Sequence, residues 1–365
     1  MKKILTVFGT RPEAIKMCPL IKELKKRDGV EVCVCVTAQH REMLDSVLEY
    51  FDVVPDFDLG IMKNGQTLFD LTEKAMRGTE RVLDLFAPHI TLVHGDTTSA
   101  FAAALAAFYK KIPIGHVEAG LRTHDMHAPF PEEFNRKTLG AIAALHFAPT
   151  QKARENLLRE GVLDETVFVT GNTVSDALNE TIRADFDHPI LQNSRSCRLL
   201  MLTVHRRENA GAPMTQIFRA VRRICADFPD VKFFFPIHKN PEIRRLAERE
   251  LGNCEKIFIC EPLPPFECHN LMSRCYAILT DSGGIQEEAS AMGKPTLVLR
   301  SQTERPEGVE AGILRLAGTS ESSVYAECAR LLRDTASYQK AAHAPNPYGN
   351  GGASKTIADI LCAAK

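Results

Sequence analysis

The sequence predicts an α/β protein made of two doubly wound, Rossmann-like domains, each built on a parallel sheet. Three observations carry that expectation: strand-length apolar runs alternate with amphipathic helical segments, the alternation persists almost throughout, and one polar, proline-containing stretch divides it into two series. In the first series strands are expected at residues 3–9, 31–37, 90–94, 112–117, 145–148 and 167–170. The stretch ADFDHPILQNSRSCR, residues 184–198, has no core periodicity and reads as a linker. After it come LLMLTV, VKFFFPI, KIFI, YAILTD and PTLVLR. The expected domains are residues 1–170 and 171–350, and the Gly-rich turn near the end leads to a helix at about 351–365 that crosses back onto the first domain. No short-period repeat accompanies the two series, so their similarity is architectural.

Composition narrows the function classes. With 365 residues, 44% of them hydrophobic and 25% charged, the chain can fill two ordinary cores. A net charge of −1 supplies no global field for nucleic acid or an anionic membrane, so neither is expected as a partner and any positive potential must be local. MKKILTVFGT passes straight into a strand without a small-residue cleavage site, and the longest apolar runs are strand-length; a cytoplasmic protein without a membrane span is expected. Eleven scattered cysteines without a CxxC pair, Cys33 and Cys35 alternating in VCVCV among them, read as buried free thiols rather than disulfides or metal ligands.

In open α/β sheets ligands sit outside the carboxyl ends of the strands. The first such loop, GTRPEAIKMCPL, places Arg11 and Lys16 where a helix N-terminus offers free N–H groups to an anion, with Pro12 in the first turn. An ordinary solvated helix start is the alternative, since the loop lacks the glycines of a dinucleotide or P-loop signature. In VHGDTTSA, Asp96 ends a strand, and it would also serve as a helix cap. In HVEAGLRTHDMHAPFPEEFNR, Glu118 leaves its strand and Glu132, Glu133 and Arg136 open the next helix, where an acid also has a dipole explanation. Acids at three adjacent strand or loop ends favour acid/base chemistry, because converging carboxylates repel unless one keeps a proton.

The second series supplies anion contacts: His205, Arg206, Arg207 and Glu208 in TVHRREN, and His238 with Lys239 in PIHKNP. In LTDSGGIQEEA a strand ends at Asp281, Ser282, Gly283 and Gly284 let a ligand approach the backbone, and a helix begins at once. Backbone N–H groups there suit a diphosphate, Glu288 can accept both hydroxyls of a ribose, and Arg305 follows in RSQTERPEG. The expected ligand is a nucleoside diphosphate joined to a group that needs acids, held in a cleft between the domains.

Together GTRPEAIKMCPL, HGDTTSA, HVEAGLRT, PFPEEFNR, HRREN and LTDSGGIQEEA…GKP…LR…TERPEG resemble, over residues 1 to about 350, the bacterial non-hydrolysing UDP-N-acetylglucosamine 2-epimerases. The resemblance implies a glycosyltransferase-B-like fold, a homodimer, and interconversion of UDP-GlcNAc and UDP-ManNAc with neither cofactor nor metal. It implies anti elimination of UDP to 2-acetamidoglucal and re-addition, with Asp96, Glu118 and Glu132 handling protons and His205 and Arg11 stabilising the departing diphosphate. Lys16, Arg136, Arg206, His238, Ser282, Gly283, Gly284, Glu288 and Arg305 are carried over as substrate contacts.

The chain departs from the family pattern in two places. Cys268 stands where an aromatic residue is common, so that uracil stacking either passes to Phe266 or is lost. An activator site of the family maps to Gln39, His40, Arg41, Gln66, Glu133 and Arg207, but Glu42 and Gly65 break its motif. The rival functions are a hydrolysing epimerase that releases ManNAc and UDP, a glycosyltransferase with an acceptor site, and a catalytically silent nucleotide-sugar sensor.

Overall fold

Apolar residues at successive strand positions must be covered on both faces, and the helices between them do this. A computed structural model describes residues 1–37, 41–62 and 65–363, apart from the side chains of residues 41–43 and 207. It divides into two units, Met1–Glu180 with Tyr348–Lys365, and Thr181–Pro347.

Unit 1 contains β1 (Lys2–Phe8), β2 (Val30–Val36), β3 (Phe57–Asp58), β4 (Ile90–His94), β5 (Ile114–Val117), β6 (Leu145–Ala148) and β7 (Val167–Val169). They pair in parallel in the order β3-β2-β1-β4-β5-β6-β7. Strand alternation sends Ile4, Phe8, Val34 and Val36 into one core and Leu5, Val7, Cys33 and Cys35 into the other. The order reverses between β1 and β4, so a crevice opens where the loops after these two strands diverge.

Unit 2 repeats the plan with β8 (Arg198–Thr203), β9 (Val231–Pro236), β10 (Ile257–Cys260), β11 (Ala277–Thr280), β12 (Thr296–Val298) and β13 (Leu314–Leu316). Their parallel order is β10-β9-β8-β11-β12-β13, with the reversal between β8 and β11. Leu200, Leu202, Phe233 and Phe235 face one core, and Leu199, Met201 and Phe234 the other.

Three features differ from the sequence expectation. The stretch 184–198 is not a linker: it contains the short helix Pro189–Gln192 and lies within unit 2, where Ile190 is buried and Phe186 packs beside it against Leu199 and Met201. The division falls after Glu180 rather than after residue 170, because the helix Val174–Thr181 places Ala177 in the unit 1 core with Ile357. The short strands β3 and β13 were not anticipated; each has too few residues for a period to register.

The final helix, Ala353–Ala363, packs on the helix Arg11–Lys25. Asp176 accepts the N–H groups of Gly352 and Ser354 at its start, which fixes the returning chain. All eleven cysteines are free, and burial pushes the thiols of Cys18, Cys33 and Cys328 up to about 12, far from thiolate reactivity. Among the described residues, no helix is long and apolar enough to cross a membrane.

Candidate active site

In unit 1 the site is built on the turns that follow β1, β4 and β5. After β1, Thr10 is the N-cap of the helix Arg11–Lys25, with Pro12 in its first turn. Glu13 reaches back from the third helical position and accepts the N–H groups of Thr10 (2.8 Å) and Gly9 (3.1 Å). Its other oxygen accepts the hydroxyl of Thr97 at 2.8 Å, tying the turn after β1 to the turn after β4. Thr97 in turn accepts the N–H of Ala100 at 3.0 Å, so Thr97 caps the helix Thr98–Tyr109 and Asp96 does not.

The Asp96 carboxylate instead pairs with the guanidinium of buried Arg136, while the Asn135 amide donates to the Asp96 carbonyl at 2.8 Å. Arg136 also donates to Glu133 at 3.1 Å. Glu133 is fully buried and accepts the N–H groups of Thr123 (3.0 Å) and His124 (2.9 Å), so its carboxylate fixes the loop between β5 and the helix Glu132–Ile142. Glu132, one residue earlier, is only partly buried. Adjacent helical residues point about 100° apart, so one serves the core and the other does not.

Glu118 follows β5 with φ +63°, a left-handed conformation that costs a non-glycine residue roughly 1–3 kcal/mol and recurs at functional sites. Its carboxylate pairs with Lys16, which is 5% exposed, and accepts the Asn172 amide at 2.9 Å; His94 Nε2 stands 3.7 Å away. Glu118 Oε1 lies 3.6 Å from where a Cβ on Gly95 would be, which sets it beside the Asp96 turn. Gly120 then lets the loop pass the neighbouring helix, since a Cβ there would come 2.2 Å from the Ala153 carbonyl oxygen.

Burial raises the Glu13 carboxyl to about 6, against the opposing pull of its hydrogen bonds. A carboxyl held above its unfolded value of 4.5 contributes stability fully below that pH and loses it as the pH rises through 6. Between pH 7 and 4.5, wild type should therefore gain about 2 kcal/mol relative to Glu13→Gln in urea unfolding. Parallel pH profiles for the two proteins would contradict a buried, titrating Glu13.

In unit 2, Ser282 is the N-cap of the helix Gly283–Ala291, whose first N–H groups face out from the end of β11. Gly283 is required by packing, because a Cβ there would meet Arg305 Nη1 at 2.6 Å, whereas nothing lies within 4 Å of the same position on Gly284. Arg305 is buried and shared by two acids: Nε donates to Glu287 at 2.9 Å and Nη1 stands 2.9 Å from Glu304. Burial would raise the Glu304 carboxyl, but Arg305 and Arg300 hold it down at about 2. Arg206 Nη2 lies 3.8 Å from the same carboxylate.

Glu288 lies 3.6 Å from Nε2 of buried His269, whose Nδ1 meets the Thr181 hydroxyl at 2.9 Å. His205 stacks on His238, with ring centroids 5.9 Å apart and planes 14° apart. Burial lowers the His238 pKa, with Arg244 adding to the effect and Asp281 opposing it. Phe266 meets Phe186 edge-on at 5.4 Å, and Arg183 lies over its ring. Cys268 turns into the apolar cluster beside Met272.

Thus Lys16 lies with Glu118, Asp96 with Arg136, His205 with His238, and Gly283 with Arg305. Arg11 is partly buried in the first turn of its helix. Of the positions expected for an activator, Gln66 donates to the Ile61 carbonyl at 2.8 Å and Glu133 holds a loop; Gln39 and His40, and the side chains of Arg41 and Arg207, lie outside the described residues. Sequence reasoning left Glu13, Asn172, Asp281, Glu287 and Glu304 without roles. Only Glu13 had a local signal, the Thr-x-x-Glu spacing of a capping box.

A family model described as UDP-N-acetylglucosamine 2-epimerase matches residues 22–362. A UDP-N-acetylglucosamine 2-epimerase of Bacillus subtilis is 52% identical over 359 residues, covering 98% of this chain and 94% of the relative. Among solved structures, the S. aureus MnaA–UDP co-structure is similar with a TM-score of 0.95 at 50% identity, covering 99% of this chain and 96% of that one. UDP-GlcNAc 2-epimerase from Neisseria meningitidis bound to UDP-GlcNAc matches with a TM-score of 0.94 at 44% identity, covering 99% of this chain and all of the other.

Proposed function

The chain belongs to the UDP-N-acetylglucosamine 2-epimerase family, and from that premise we propose that it interconverts UDP-GlcNAc and UDP-ManNAc reversibly without releasing free sugar. The observation that carries this reading is the setting of Asp96 and Glu118 on neighbouring turns, each carboxylate paired with a buried cation. Each cation holds its acid in a defined position at the end of its strand.

C2 of the sugar has no adjacent carbonyl, so its proton is removed only as the C1–O bond breaks. One carboxylate takes that proton while UDP leaves from the opposite face, giving 2-acetamidoglucal. A protonated acid then delivers hydrogen to the other face of C2, and the UDP oxygen re-forms the bond at C1. Asp96, Glu118 and Glu132 supply the proton positions; Arg11, Lys16, Arg136 and His205 bear on the charge that grows on the diphosphate.

Unit 2 holds the nucleotide. The Ser282–Gly284 turn receives the diphosphate at a helix N-terminus, Glu288 takes the ribose and Phe266 the uracil, while Arg206, His238 and Arg305 add contacts from the loops after β8, β9 and β12. Relatives solved with UDP and with UDP-GlcNAc support this choice of substrate. Glu288→Ala should weaken UDP binding by about 1.5–3 kcal/mol, the range for a hydrogen bond to a charged group, and leave the melting temperature near wild type. Unchanged affinity in calorimetry would place the ribose elsewhere.

The reading includes a homodimer, supported by exposed Phe69 and Leu85 on the helix Leu68–Phe86 and by exposed Phe108 and Tyr109 at the end of its neighbour Thr98–Tyr109. It includes cytoplasmic work supplying ManNAc units for a surface polysaccharide; eleven free thiols suit a reducing compartment. The test is incubation with UDP-GlcNAc, followed by NMR of the anomeric protons. A stable mixture of two UDP-sugars is expected, and accumulation of free ManNAc and UDP would make the protein a hydrolysing epimerase.

A further inference from the structure

Asp281, at the end of β11, is fully buried. A buried carboxylate must be satisfied by donors, and this one draws them from the segment that follows β8. Its oxygens accept the N–H of His205 (3.1 and 3.0 Å), the N–H of Arg206 (2.9 Å) and the side-chain amide of Asn209 (2.9 Å). Asp281 Oδ1 also stands 3.3 Å from Nδ1 of His205. An ionised carboxylate only accepts, so the imidazole nitrogen facing it must carry a proton. The His238 ring lies nearly parallel to that of His205, with centroids 5.9 Å apart.

We propose that Asp281 is a positioning residue that fixes His205 as the Nδ1–H tautomer and so presents Nε2 to the substrate diphosphate. The assignment rests on the proposed epimerase function, because it gives His205 a partner whose charge grows as the sugar–phosphate bond breaks. With Nδ1–H facing Asp281, Nε2 is the ring nitrogen on the far side from that carboxylate. Asp281 is also the chain neighbour of Ser282, so one carboxylate registers the histidine against the glycine turn. Both lie at the β8/β11 switch point, where ligands of such sheets bind.

The experiment is ¹⁵N-histidine NMR of the full-length protein without substrate, with the His205 signals assigned by loss in His205→Gln. The expected result is a protonated Nδ1. A neutral ring protonated at Nε2 alone, or one averaging between tautomers, would overturn the assignment. In Asp281→Asn the fixed tautomer should be lost and kcat for UDP-GlcNAc should fall about 10²-fold, as for removal of an orienting carboxylate–histidine bond, with KM within about twofold. A folded Asp281→Asn protein with wild-type kcat would also overturn it. Should that variant not fold, the wild-type tautomer still decides. The tautomer is read without turnover, so the two levels separate. An Nδ1–H ring in a protein that turns over no UDP-GlcNAc sinks the epimerase reading and the role with it, whereas an Nε2–H ring in an active enzyme sinks the Asp281 assignment alone.

Discussion

Replacing Asp96, Glu118 or Glu132 by its amide is expected to lower epimerase turnover by roughly 10²–10⁴ while UDP binding stays close to wild type. The amide keeps shape and hydrogen-bonding reach but cannot accept a proton. Helix capping no longer competes as an explanation for Asp96, since Thr97 fills that role. Stability should separate the three variants. Asp96→Asn leaves Arg136 paired with Glu133, and Glu132→Gln touches a partly buried side chain, so both should melt near wild type. Glu118→Gln removes the carboxylate next to buried Lys16 and should melt lowest. Turnover and melting curves on the same preparations check this, and wild-type turnover in any one variant would remove that acid from the chemistry.

Arg305→Ala should destabilise unit 2 by about 3–5 kcal/mol, because it removes a buried cation shared by two buried carboxylates, Glu287 and Glu304, of which Glu304 keeps Arg300. This is the largest stability effect expected of any single cation in the turns of unit 2. Arg305→Lys should recover only part of it, since one ammonium cannot reproduce the forked geometry that reaches both acids. Urea unfolding measures the loss. A variant of wild-type stability with weakened UDP affinity would instead make Arg305 chiefly a substrate contact.

How far the sequence reveals this architecture depends on the range of the interaction. The strand-length apolar runs of β1 and β8 and the glycine turn after β11 are local patterns that the sequence shows, whereas the strand order that makes both switch points is not local. The Glu132/Glu133 pair was ambiguous because both fit a first helical turn; which one faces the core is decided by Thr123, His124 and Arg136. The choice between Asp96 and Thr97 as a cap is similar, since either residue type serves and the geometry of one turn decides. Arg305 with Glu287, and Asp281 with His205, lie 18 and 76 residues apart, where no periodicity reports contact. The stretch 184–198 looked like a linker because its apolar anchors, Phe186, Ile190 and Leu191, are too few to produce a pattern.

The central claim is that C2 loses and regains its proton through side-chain acids while UDP leaves and returns. Epimerisation of UDP-GlcNAc in D₂O, followed by ¹H NMR and mass spectrometry of both UDP-sugars, tests it most directly. Deuterium should enter C2 of UDP-ManNAc with the first turnover and C2 of UDP-GlcNAc as equilibrium is approached. Retention of the original hydrogen at C2 in both sugars would contradict elimination and re-addition, and would require a carrier that returns the same hydrogen.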